Sequence, residues 1–237
     1  MRGSTITLAM AAVLLAGGCQ KASDAVFDAR VRAYLLQHPE VIEEAVNKLN
    51  ENKARDEAAK ARDAIARSRD AIERDPRDFV ANPNGKITVT EFYDYNCTYC
   101  KAAAPQILAL IAANPDVRFV FKEYPIFGGD SDRAAALALA AKSRGKYLAL
   151  YQQFFPAKAH LDLPEMERVM VTQGLDPAAM ERDGSSDAIR KHLSDTHDLA
   201  GRLGINGTPS FVIDGALLAG ADIEALKRAI TEARRKA

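Results

Sequence analysis

The feature that most constrains this chain is a pair of cysteines three positions apart, in the stretch "FYDYNCTYCKAAAPQI". The residues before Cys97 are aromatic and β-branched, which is typical of a strand, whereas alanine and leucine follow Cys100, which is typical of a helix. The pair therefore lies where a strand passes into a helix. Unpaired backbone N–H groups at a helix start favour a thiolate, so we predict a lowered pKa for Cys97.

A disulfide between Cys97 and Cys100 is the second expectation. Cys100 follows one helical turn later, which is within reach for normal disulfide geometry. Closing so short a loop stabilises the fold little, so the bond should form and break readily by thiol–disulfide exchange. The alternatives are a structural disulfide, which usually joins distant segments, and half a zinc site, which needs four ligands. We interpret the pair as a redox centre.

The other candidate ligands give no support for a metal or a haem. Cys19 is the one further cysteine, and the four histidines show no metal-ligand spacing. His192 and His197 lie five positions apart on a charged helix and are predicted to face solvent. A c-type haem would need a histidine directly after the second cysteine, where Lys101 stands. We therefore expect neither a metal nor a cofactor.

The N-terminal stretch "MRGSTITLAMAAVLLAGGC" predicts export. Residues 1–18 hold an early positive charge and an apolar run too short to span a bilayer, ending in small residues, as in a signal peptide. "LAGGC" resembles a bacterial lipobox, which would make Cys19 a lipidation site; the alternative is a plain signal peptide cut before Val26. Both predict a periplasmic protein, and a lipid anchor would be its only membrane contact.

Residues 24–80 are predicted to be helical. "VRAYLLQHPEVIEEAVNKLN" is amphipathic and interrupted at His38 and Pro39. The stretch after it, "ENKARDEAAKARDAIARSRDAIERD", carries small and apolar residues at heptad-like spacing, ending in Ile65 and Ile72. This segment is either a solvated spacer or an oligomerisation arm. Lys and Arg number 32, as do Asp and Glu, so the overall charge indicates no nucleic-acid partner.

The remainder predicts an α/β domain over residues 85–237, after a turn cluster at 81–86. "KITVTEFYDY" and "DVRFVFKEYPIF" are predicted strands with a helix between them. A helical stretch follows at about 130–204. "TPSFVIDGALLAG" is then a predicted hairpin with its turn at Asp214 and Gly215, and a helix closes the chain.

Three motifs in this order, "FYDYNCTYC", "FVFKEYPI" and "GINGTPSFVIDG", resemble the DsbA-like thiol–disulfide oxidoreductases of the thioredoxin superfamily over residues 85–237. The resemblance implies a thioredoxin-like mixed sheet with an inserted helical domain. It also implies a cis bond between Thr208 and Pro209 opposite the redox pair. Together with Thr98 and Tyr99, these two residues would bind the substrate peptide.

The same resemblance implies a catalytic role for Glu91, six residues before Cys97. In the family a buried acid at this position is thought to take up the proton of the second cysteine. A carboxylate with a raised pKa could accept that proton from Cys100. Lys122 is either a partner of Glu91 or a solvent-facing lysine.

The segment "VRAYLLQHPEVIEEAVNKL" resembles the N-terminal domain of ScsC proteins (suppressor of copper sensitivity) and of related Com1-type disulfide isomerases. This resemblance implies a homotrimer that isomerises or reduces incorrect disulfides in exported proteins, kept reduced by a membrane electron donor of the DsbD or ScsB type. Thr208 and the lack of histidine between the cysteines favour a less oxidising couple. The alternatives are a monomeric DsbA-type dithiol oxidase and a copper-sequestering thiol protein.

Overall fold

The computed structural model describes residues 26–156 and 160–236. Two compact units meet in sequence at Glu57 and Ala58. The predicted signal peptide (1–18) and Cys19 lie outside the described residues. Within the described part of the chain, no helix has both the length and the apolar character needed to cross a membrane.

The first unit is helical, as predicted. Helix α1 covers residues 26–37, and helix α2 (Glu40–Arg67) begins directly after the predicted break at His38 and Pro39. Several large apolar side chains of this unit are exposed: Val26, Phe27, Val31, Tyr34, Leu36, Ile42, Val46 and Leu49. The chain by itself therefore leaves this apolar surface in contact with water.

The second unit contains a five-stranded sheet in the order β1-β3-β2-β4-β5. The strands are β1 (Phe79–Ala81), β2 (Ile87–Tyr93), β3 (Val117–Glu123), β4 (Ser210–Ile213) and β5 (Ala216–Ala219). Strands β2 and β3 are parallel, and the other pairs are antiparallel. The predicted mixed sheet is confirmed; β1, a three-residue strand at its edge, was not predicted.

Helices cover the sheet and fill the long connection between β3 and β4. In chain order they are α3 (Arg69–Glu73), α4 (Thr98–Ala113), α5 (Asp130–Lys142), α6 (Tyr147–Phe154), α7 (Leu163–Thr172), α8 (Pro177–Gly184), α9 (Asp187–Leu203) and α10 (Ile223–Lys236). Helix α4 connects the parallel strands β2 and β3, as a crossover must. The helical insertion extends from α5 to α9, in agreement with the predicted range of about 130–204.

The predicted hairpin turn is confirmed at Asp214 and Gly215, whose φ angles are 48° and 76°. Positive φ at both central residues is the geometry of a tight turn whose twist matches that of the flanking strands. This turn pairs Ile213 with Ala216 and returns the chain along the sheet. Strand β4 also pairs with the central strand β2, so Pro209, the residue before β4, lies next to the centre of the sheet.

The last two apolar residues of the heptad-like pattern before the sheet are buried within the chain itself. Ile65 and Ile72 are 4% and 1% exposed and pack in a buried cluster with Phe92, Leu199 and Val212 of the same unit. Burial of an isoleucine side chain contributes roughly 1.5–3 kcal/mol. These two residues therefore belong to the core of the second unit, which begins at Ala58, before the predicted turn cluster at 81–86.

Candidate active site

Cys97 and Cys100 lie at the start of helix α4, a few residues after the end of β2. Cys97 is the N-cap residue, with an extended backbone, and Cys100 is in the first turn. Both are reduced and buried. The backbone N–H of Cys97 donates to the carbonyl oxygen of Asp94 at 3.2 Å, which fixes the entry into the helix. The predicted position of the pair is thus confirmed.

The surroundings of Cys97 stabilise its thiolate. A hydrogen bond with the Cys100 side chain is the main cause that lowers the pKa of Cys97 to about 5; the backbone N–H groups of Cys100 and Tyr99 contribute further. Burial acts in the opposite direction. These N–H groups belong to the first helical turn, where they have no partner inside the helix. Cys97 is therefore ionised at neutral pH.

Cys100 has the opposite character. Burial, followed by its hydrogen bond with Cys97, raises the pKa of Cys100 well above its ordinary range, and the charge of Glu91 acts in the same direction. Cys100 therefore stays a thiol while Cys97 is ionised. The pKa values of the two thiols are thus shifted in opposite directions. Cys97 can act as a nucleophile, and Cys100 is its proton-bearing partner.

The peptide bond between Thr208 and Pro209 is cis, and it lies against the redox pair. Cys97 Sγ is 3.1 Å from the carbonyl oxygen of Thr208, to which the thiol form donates. Thr208 is buried, with 8% of its surface exposed, whereas Tyr99 is 69% exposed. Thr98 is also exposed. The residues between the cysteines thus face solvent beside the Thr208–Pro209 loop, where a peptide could approach Cys97.

Glu91 is buried on the sheet face that carries the redox pair. Its Oε2 accepts a hydrogen bond from the Tyr151 hydroxyl at 3.1 Å, and its Oε1 has no hydrogen-bond partner among the described residues. Burial raises the pKa of Glu91 to about 8, although the Tyr151 bond opposes the change. A carboxyl with a pKa near the working pH can both accept and return a proton.

Three further residues around the pair were not identified from the sequence. Asp94 accepts hydrogen bonds from the backbone N–H groups of Ile126 and Phe127 and from the Ser131 hydroxyl, at 2.7, 3.2 and 2.8 Å. Asn96 exchanges hydrogen bonds with the backbone of Leu161. Glu123 accepts from the hydroxyls of three tyrosines. The polar residues of "DYN", directly after strand β2, were the available signal for Asp94 and Asn96.

Lys122 occupies a place that neither sequence interpretation anticipated. Because side chains alternate along β3, Lys122 points to the sheet face opposite the one that carries Glu91. It is 1% exposed, donates to the carbonyl oxygen of Ala71 at 2.6 Å and forms an ion pair with Asp78. Both expectations, a partner of Glu91 and a solvent-facing lysine, are therefore wrong.

His192 also departs from its prediction as a surface residue. It is 3% exposed, and its Nε2 lies 3.1 Å from Asp78 Oδ1, so it belongs to the same buried cluster as Lys122. His197 is exposed, as predicted, and its ring packs against Tyr124. Within residues 26–156 and 160–236, no group of three His, Cys, Asp or Glu side chains could hold a metal ion.

Two protein-family models match most of the chain. Residues 88–231 match the DSBA-like thioredoxin domain. Residues 25–56 match the Copper resistance protein ScsC N-terminal domain. The two matches coincide with the two sequence resemblances, and together they include both the helices before the sheet and the redox domain.

Solved structures agree with this placement. A thioredoxin-like oxidoreductase from Silicibacter pomeroyi is 39% identical, with a TM-score of 0.68, and the match covers 71% of this chain and 99% of that one. Proteus mirabilis ScsC in a transitional conformation is 31% identical, with a TM-score of 0.67, and the match covers 92% of this chain and 99% of that one.

Curated relatives are of two kinds. The thiol:disulfide interchange protein DsbA of Pseudomonas syringae pv. tomato is 28% identical over 142 residues, which are 57% of this chain and 65% of that protein. The Na(+)/H(+) antiporter NhaA 3 of Salinispora tropica is 28% identical over 170 residues, 66% of this chain, so the chain spans only about 25% of the antiporter's length. The chain belongs to the DSBA-like thioredoxin domain family, whose members are thiol–disulfide oxidoreductases.

Proposed function

We propose that this chain is a thiol–disulfide interchange protein of the cell envelope that isomerises or reduces incorrect disulfides in exported proteins. The observation that carries the proposal is the contrast between Cys97, whose pKa is lowered to about 5, and Cys100, whose pKa is raised. A permanent structural disulfide has no need of one ionised and one protonated sulfur. An exchange enzyme needs both, because one attacks and the other resolves.

The reaction begins with the Cys97 thiolate, which attacks one sulfur of a substrate disulfide. The substrate S–S bond breaks, a mixed disulfide forms with Cys97, and the other substrate sulfur leaves as a thiolate. The attacked peptide lies along the Thr208–Pro209 loop, whose carbonyl oxygen of Thr208 is 3.1 Å from Cys97 Sγ. Exposed Tyr99 and Phe127 offer apolar contact to a chain that is not fully folded.

Two steps can release the substrate. In isomerisation, a substrate thiolate attacks the mixed disulfide and displaces Cys97, so the enzyme ends as it began. In reduction, Cys100 loses its proton and displaces the substrate thiolate, which leaves a Cys97–Cys100 disulfide on the enzyme. Glu91, in its ionised form, accepts the Cys100 proton; its Oε1 has no competing partner in the described part of the chain. An electron donor of the DsbD or ScsB type would then restore the dithiol.

One observation favours the alternative, a dithiol oxidase. A lowered pKa of Cys97 stabilises the reduced form, and a pair whose reduced form is stable is a strong oxidant toward other thiols. The same stability would also keep an isomerase in its active, reduced state. The two functions therefore need to be separated by experiment.

Refolding of scrambled ribonuclease separates them. The full chain, with Cys19→Ser to remove the third thiol, is reduced and added to scrambled ribonuclease without any other thiol. An isomerase restores ribonuclease activity, and Cys100→Ser retains part of it because isomerisation needs only Cys97. Cys97→Ser is the inactive control. Activity that appears only when the oxidised protein meets reduced ribonuclease would assign the oxidase instead.

We also propose that the first unit assembles the protein into a homotrimer, as the ScsC-type N-terminal domain implies. Its exposed apolar side chains, among them Ile42 and Val46, support such an interface because burial of this surface would be favourable. Val46→Glu should then lower the mass measured by light scattering from three chains to one. Val171→Glu alters an exposed valine of the second unit and is the matched control. A monomeric unsubstituted protein would refute the trimer.

A further inference from the structure

A second buried acid lies beside the redox centre, and none of the proposed exchange steps uses it. Glu123, at the end of β3, accepts hydrogen bonds at its Oε1 from the hydroxyls of Tyr93, Tyr147 and Tyr95, at 2.5, 2.8 and 3.1 Å. The Tyr93 hydroxyl is also 2.7 Å from that of Tyr147 and 3.1 Å from that of Tyr95. We call these four residues the Glu123 cluster. All are 1% exposed or less.

The Glu123 cluster is joined to the redox centre through β2. Glu91 lies opposite Phe121, and Tyr93 lies opposite Glu123, so both carboxyls are on one face of two parallel strands. Tyr95 is two residues from Cys97; burial raises the pKa of Tyr95, and the charges of Glu123 and Glu91 act in the same direction. The cluster therefore holds the segment that carries Glu91 at one end and leads into Cys97 at the other.

The protonation state of Glu123 is finely balanced by its surroundings. Burial raises its pKa to about 8, and the hydrogen bonds from Tyr93, Tyr147 and Tyr95 oppose that rise. The nearby carboxylate of Asp94, in the loop before Cys97, acts in the same direction as burial. Glu123 Oε2 has no hydrogen-bond partner among the described residues, so a charge on this carboxyl would be poorly compensated.

We propose that Glu123 is a positioning residue for the redox centre: its neutral form fixes Tyr93 and Tyr95, and its ionisation slows the step in which Cys100 releases a substrate from Cys97. The proposal rests on the proposed function of Cys100 and Glu91. Release needs negative charge to develop on the Cys100 sulfur inside the same apolar pocket. Glu91, whose charge raises the pKa of Cys100, lies diagonally across β2 and β3 from Glu123, at roughly 7–8 Å. A second carboxylate charge on this sheet face therefore opposes ionisation of Cys100 on the order of tenfold.

Release of a mixed disulfide tests the proposal. A fluorescent cysteine peptide is attached to Cys97 in the full chain with Cys19→Ser, and its release by Cys100 is followed from about pH 6 to about pH 9. Glu123→Gln keeps an acceptor oxygen but cannot ionise. Its rate should equal that of the unsubstituted protein near pH 6 and exceed it on the order of tenfold near pH 9. A ratio that stays constant with pH would overturn the proposal.

Two tyrosine variants provide an independent readout. Tyr147→Phe removes a hydroxyl that lowers the pKa of Glu123, so the alkaline decline in rate should move to higher pH. Tyr124→Phe removes a hydroxyl that bonds to the carbonyl oxygen of Ile205 outside the cluster, and it should leave the profile unchanged. Identical shifts in both variants would contradict the assignment. If the unsubstituted protein releases no peptide at any pH, the proposed function itself fails, which is a different outcome.

Discussion

The acidity of Cys97 can be tested most sharply by its reactivity at acid pH. Its pKa of about 5 compares with 9.0 for an ordinary cysteine thiol. At pH 7 about 99% of Cys97 is thiolate, against about 1% of the ordinary thiol, but nucleophilicity falls with pKa at a Brønsted slope of roughly 0.5. Four units of pKa then reduce the intrinsic rate about 100-fold, so the two thiols react equally fast at pH 7.

At pH 5 the two effects no longer cancel. Half of Cys97 is ionised there, against about one in ten thousand of the ordinary thiol, and the same 100-fold correction leaves Cys97 about 50-fold faster. The assay is the reaction of the Cys19→Ser, Cys100→Ser protein with a dipyridyl disulfide, whose released thione is coloured. A six-residue peptide with one cysteine is the reference thiol.

The expected rate of reaction depends on pH as a single ionisation with a midpoint near pH 5. At that pH the protein should react about 50-fold faster than the peptide. Replacement of Cys100 by alanine instead of serine removes the principal hydrogen bond to Cys97 and should move the midpoint upward. A midpoint above about pH 8 in the serine variant would refute the whole account of Cys97, because the helix start and a hydrogen-bond donor at position 100 would then contribute little to its acidity.

Three further predictions concern stability. Because burial raises the pKa of Glu91 from 4.5 in an unfolded chain to about 8 in the fold, its neutral form stabilises the fold fully below pH 4.5, and this contribution is lost progressively as the pH rises to 8. The free energy of unfolding of Glu91→Gln, relative to that of the unsubstituted protein, should therefore be about 5 kcal/mol higher at pH 8.5 than at pH 4 in urea titrations. Equal differences at the two pH values would contradict a buried neutral acid. Lys122→Met leaves the Asp78 carboxylate buried without its lysine and should lower the free energy of unfolding by about 3–5 kcal/mol, most of which the added change Asp78→Leu should restore. Ile72→Ala should lower the free energy of unfolding by about 2–5 kcal/mol, whereas Val171→Ala, at an exposed position of the second unit, should change it by less than about 0.5 kcal/mol. Equal costs in thermal or urea unfolding would argue against Ile72 as a core residue.

Most of the second unit's architecture could be predicted because its signals are local. The β-branched run of β2, the alanine-rich start of α4 and the Asp214–Gly215 turn each express a preference of the backbone over a few residues. The short strand β1 could not be predicted in this way. Its three residues pair with Phe119, Val120 and Phe121 of β3, which lie about 40 residues further along the chain.

The isoleucines of the N-terminal helices illustrate the limit of periodic patterns. A spacing of seven between Ile65 and Ile72 fits a seam between chains as well as a contact within one chain. The pattern indicates that one helix face is apolar, but it does not indicate which residues cover that face. In the fold, both residues lie in one buried cluster with Phe92 and Val212 of the second unit.

The sequence by itself determined the redox chemistry of this protein, since two cysteines one helical turn apart at a helix start have unequal acidity wherever that local structure forms. Only the tertiary structure decided which buried groups act on them. Glu91, Glu123 and the tyrosines of α6 meet through strand register and helix docking, and the same alternation turns Lys122 to the opposite face. Contacts between residues far apart in the chain depend on how whole elements pack, which no short stretch of sequence specifies.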